Sequence, residues 1–61
     1  MQRNVSAKTF RMEGSGFVHQ DELWERYMPE VKKRDRLSVS FYVSERGEKH
    51  VIFVYVDFER E

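Results

Sequence analysis

Between Arg36 and Phe58 the hydrophobic rhythm of the chain changes once. Leu37, Val39, Phe41 and Val43 alternate with Ser38, Ser40, Tyr42 and Ser44, the period-two pattern of a strand with one buried face. After SERGEK the alternation is lost. Val51, Phe53 and Tyr55 fall on one face, and Ile52, Val54, Val56 and Phe58 on the other. A strand that is apolar on both faces belongs inside a sheet, with neighbours on both sides. Val51 to Val56 is also β-rich, uncharged and free of proline, so exposure at an edge would make it an aggregation site.

Upstream, VSAKTFRM alternates loosely and suits a modest strand at about residues 5–12. EGSG at 13–16 reads as a turn. Leu23, Tyr27 and Val31 then recur every four residues, with Trp24 and Met28 in the adjacent row, which is the apolar stripe of an amphipathic helix over about 21–33. Asp21 is placed to cap its start. Pro29 lacks the N–H that would bond to Glu25, so the helix is expected either to kink there or to end near Met28, with Pro29 opening another short turn. Lys32, Lys33 and Arg34 are expected in the last turn, where cations suit the negative end of the dipole.

Strand, helix, strand (about 36–44), strand (about 49–58) make one α+β domain over residues 1–61. With the last strand central, the sheet is three-stranded and antiparallel in order 1-3-2, and the helix crosses one face. This split β-α-β arrangement is half of a ferredoxin-like fold.

The hairpin register decides which side chains the helix leaves uncovered. A two-residue loop at Arg46-Gly47 sets Phe41 opposite Ile52 and displays Tyr42, Val51, Phe53 and Tyr55. A three-residue loop, Glu45-Arg46-Gly47, sets Phe41 opposite Val51 and displays Ile52, Val54, Val56 and Phe58. The first needs positive φ at Arg46, costing roughly 1–2 kcal/mol at a non-glycine residue, and the second needs it only at Gly47. The first offers a favourable Arg36–Asp57 pair, whereas the second sets Asp35 against Asp57. Turn chemistry favours the three-residue loop.

A chain of 61 residues buries only about 60% of the surface its unfolded form exposes, so a monomer is marginal. The common staples are missing: there is no cysteine, and His19 and His50 lie far apart. Self-association becomes a way to complete the core. Eleven basic residues balance eleven acidic ones, giving no global attraction to nucleic acid or anionic membrane. The N-terminus has no apolar signal-peptide core, and Val51 to Val56 is too short to span a bilayer, so a cytoplasmic location is expected.

The chemistry-bearing residues form no catalytic pattern. Ser and His occur without a motif that joins them, EGSG has no phosphate-binding context, and His19, Asp21 and Glu22 fit capping better than metal ligation. No catalytic role and no cofactor are expected. Two binding readings remain. If Ile52, Val54, Val56 and Phe58 are displayed, the face is aliphatic and suits a protein partner, either a second copy in a homodimer or another subunit. If Phe53, Tyr55 and Tyr42 are displayed, they make a stacking platform for unpaired bases, with Lys32, Lys33 and Arg34 supplying phosphate contacts. KTFRMEG resembles the opening strand of the archaeal ribosomal protein LX family, and DELWERY is similar to its helix. The second strand and the Gly-Ser-Lys-His segment expected after that helix are absent here, and no residue role carries over. The resemblance implies only an RNA-associated setting.

Overall fold

The computed structural model describes residues 3–13 and 19–58, with the side chain of Phe58 outside that description. Strand β1 spans Arg3–Arg11, helix α1 Gln20–Tyr27, strand β2 Arg36–Val43 and strand β3 Lys49–Phe58. The sheet order is β1-β3-β2, and β3 is antiparallel to both neighbours. The doubly apolar strand is therefore central, as its pattern predicts. EGSG lies almost wholly outside the described residues.

The hairpin closes with three residues. Ser44 O accepts from Gly47 N (2.9 Å), and Ser44 N donates to Glu48 O (2.9 Å). The Ser44 hydroxyl adds a bond from Glu48 N at 3.2 Å. Gly47 has φ +79°, and no other described residue has positive φ. Glycine adopts this conformation without the Cβ clash that Arg46 would incur. Phe41 accordingly pairs with Val51, and Val39 with Phe53. The expected Asp35–Asp57 clash does not occur. A bulge between Arg36 and Ser38 shifts the register, Arg36 takes the place opposite Tyr55, and Asp35 stays in a 3-10 turn at Lys33–Asp35. The bulge also corrects the expectation that Leu37 joins Val39 under the helix, since Arg36 holds that position and Leu37 is exposed.

Helix α1 is shorter than its pattern suggests. It ends at Tyr27, and Met28 N closes the last turn on Trp24 O at 2.8 Å. Pro29 follows in a tight turn, with Val31 N bonded to Met28 O at 3.1 Å. Of the two expectations at Pro29, the helix end is the one realised. Two details differ from expectation. His19, not Asp21, holds the N-cap position, and no side chain caps it. Asp21 instead accepts from Arg36 at 3.1 Å. Lys32 is extended and Lys33 and Arg34 lie in the 3-10 turn, because the chain has already left the helix.

The core lies between α1 and one sheet face. Leu23, Trp24, Met28 and Val31 pack on Val51, Phe53 and Tyr55. Phe53 is its centre, with Trp24, Phe10 and Tyr27 ring centroids at 4.7, 5.9 and 6.0 Å. Val31 thus fills the core from beyond the helix, which is why the four-residue periodicity continues past the helix end.

Candidate interaction surface

Because side chains alternate along strands, the pairing fixes which residues share the face away from the helix. Three cross-strand rows define it. Thr9, Ile52 and Ser40 form one, Ala7, Val54 and Ser38 the next, and Val5 and Val56 the third. No described element covers this face. Ile52, Val54 and Val56 are half-buried only by their neighbours in the sheet, and Val5 is 71% exposed. The side chain of Phe58, expected in the same patch, lies outside the described residues.

One end of the face is polar. Glu48 Oε2 lies 3.8 Å from both Arg11 Nη1 and His50 Nε2. The Tyr42 ring stacks on His50 with centroids 4.8 Å apart and planes within 5°. This cluster bounds the aliphatic patch at the hairpin end. The smallest side chains, Ala7 and Ser38, flank Val54 at its middle.

The residues of the aromatic reading are not brought together. Phe53 is fully buried and Tyr55 is 9% exposed, both beneath α1, so neither presents a ring to a base. Tyr42 occupies the opposite face, where it is engaged with His50. The physical cause is the hairpin loop, since placing positive φ at Gly47 alone turns the odd-numbered residues of β3 inward. Lys32, Lys33 and Arg34 are exposed before β2, at the end of that strand remote from Tyr42. Arg34 lies 3.9 Å from Asp35.

Three contributions escaped the sequence reading. Val5, Ala7 and Thr9 complete the uncovered face, and only the β1–β3 register identifies them, because VSAKTFRM has no clear two-fold rhythm. Lys8 shares the helix face and reaches Glu30 at 3.6 Å, so a charged residue interrupts the inward set. The third is β2 itself, whose Leu37, Phe41, Tyr42 and Val43 are all exposed.

Among the described residues no group of three or more His, Asp or Glu is arranged to hold a metal. No helix there is long and apolar enough to cross a membrane. Comparison of the chain with protein-family models, curated proteins and solved structures gives no match, so the likeness of KTFRMEG and DELWERY to a ribosomal family is not supported by one.

Proposed function

We propose that this protein is a non-enzymatic interaction module that works as a homodimer through the uncovered sheet face, with Ile52, Val54 and Val56 at its centre. The supporting observation is the central strand: its odd residues are enclosed by the helix, and its even residues carry an equally apolar set with no covering element among the described residues. Three strands about 4.8 Å apart and about eight residues long present a plane of roughly 14 by 27 Å. Two such planes have about 760 Å² of projected area, and with side-chain relief included their stacking buries about 1,000 Å², the size a predicted interface has to clear. Two faces of aligned sheets pack about 10 Å apart, a distance that valine and isoleucine side chains fill.

A second copy fits the patch better than a charged ligand does. Its central rows contain no ionisable group, so self-contact there meets no like-charge repulsion. Light scattering across a concentration series tests this. The unmodified chain is expected to have at least twice its sequence mass at micromolar concentration, and Val54→Lys to give a folded species of lower mass. A folded monomer at high micromolar concentration in the unmodified chain would reject the dimer.

The nucleic-acid alternative keeps the exposed Lys32, Lys33 and Arg34 but displays only Tyr42 of its three aromatics, since Phe53 and Tyr55 are buried. It predicts salt-sensitive binding of mixed-sequence single-stranded RNA. Absence of binding at low salt is the result expected from the dimer reading.

A further inference from the structure

The outer edge of β2 is a second self-complementary surface, independent of the uncovered face. Among the described residues β2 pairs on one side only, with β3. From Leu37 to Ser44 it carries no charge and no proline, the two devices that normally keep a sheet edge from pairing. The other edge differs, since β1 carries Arg3, Lys8 and Arg11. Phe41 and Val43, on the helix face of β2, are 54% and 63% exposed, because α1 covers the opposite part of the sheet.

The backbone identifies the outward groups. Ser44 donates its N–H to Glu48 O, on the residue just before β3, so this N–H is directed to the β3 side. Alternation along an antiparallel ladder then turns Ser38, Ser40 and Tyr42 toward β3, and leaves the N–H and C=O groups of Val39, Phe41 and Val43 directed outward. The bulge at Arg36–Ser38 ends the regular stretch on one side, and the turn ends it on the other. The middle of what remains is Phe41.

We infer that two copies pair antiparallel along β2 about a two-fold axis at Phe41, joining their sheets into one of six strands. In this register Phe41 faces its own copy, and Val39 faces the partner's Val43. On the other face Ser40 meets the partner's Tyr42. Every outward backbone group from Val39 to Val43 gains a partner, and the register avoids the bulge. An axis centred on Ser40 would instead draw the bulged Leu37 into the ladder opposite Val43.

The absence of cysteine makes the test direct. In a hydrogen-bonded antiparallel pair the facing Cα atoms lie about 5.5 Å apart, within disulfide range. Phe41→Cys under mild oxidation is expected to give a covalent dimer within minutes at micromolar concentration. Val39→Cys and Val43→Cys, whose like positions fall about 14 Å apart across the axis, are expected to stay uncoupled alone but to couple when mixed. Equal, slow coupling of all three variants would overturn the inference. In the unmodified chain, amide exchange at Val39, Phe41 and Val43 is expected to slow as concentration rises, and concentration-independent exchange at these amides would also overturn it. Adding Val54→Lys to Phe41→Cys separates the two surfaces. Coupling is expected to persist there, and its loss would mean that the cross-link depends on face contact and not on the edge.

Discussion

Gly47 and Arg36 settle at the residue scale what faces inward. Nothing lies within 4 Å of a Cβ built at Gly47, so a side chain there meets a backbone penalty and no packing clash. Gly47→Ala is expected to destabilise the fold by about 1–2 kcal/mol, measured by urea denaturation, while Arg46→Ala is close to neutral. Arg36 shows how a cation occupies a core position. Its guanidinium lies 5.2 Å from the Trp24 ring centroid, one nitrogen reaches Asp21, and Nε has no acceptor among the described residues. Because the Asp21 side chain is 62% exposed, that ion pair is worth only about 0–1 kcal/mol. The stem and the ring contact contribute more. Arg36→Ala is expected to cost about 1–2 kcal/mol, and Arg36→Met, which keeps the packing and removes the orphan donor, less than half as much. Equal losses in the two variants would assign the stabilisation to charge and not to packing.

At the scale of elements, the helix contributes two turns and one anchor. Leu23 is fully buried, so Leu23→Ala is expected to cost about 2–5 kcal/mol, enough to unfold much of a chain this size at room temperature, as circular dichroism would show. The exposed counterpart Glu25→Ala is expected to change little. The sequence made the element order, the central position of β3 and the buried set Leu23, Trp24, Met28 and Val31 readable, because each rests on a strong local rhythm. It was less informative where tertiary contacts override local preference. Asp21 is a good capping residue, yet its carboxylate is directed to Arg36, which only the bulge in β2 brings within reach. The register could be read because a single glycine sits where one positive φ is required. The uncovered face was half legible: β3 announced its part, whereas the Val5, Ala7 and Thr9 part required the pairing of β1.

For the molecule as a whole, the decisive feature is one layer of helix on a sheet that is apolar on both sides. The helix encloses Val51, Phe53 and Tyr55, and the even residues of β3 have no matching layer among the described residues. If a second copy supplies that layer, stability depends on protein concentration. A tenfold dilution near the dissociation constant of the face contact is expected to lower the midpoint of thermal unfolding by a few degrees, with Val54→Lys less sensitive to dilution. Face and edge contacts obey different symmetry. Together they would extend assembly beyond a dimer, and Val54→Lys would return it to the edge-paired two-copy state.

The most direct measurement is isotope-filtered NMR on a sample mixing labelled and unlabelled chains. The face-to-face dimer predicts intermolecular Overhauser contacts among the methyl groups of Ile52, Val54, Val56 and Val5. A well-folded spectrum at high micromolar concentration with no intermolecular contact at those methyls would contradict it.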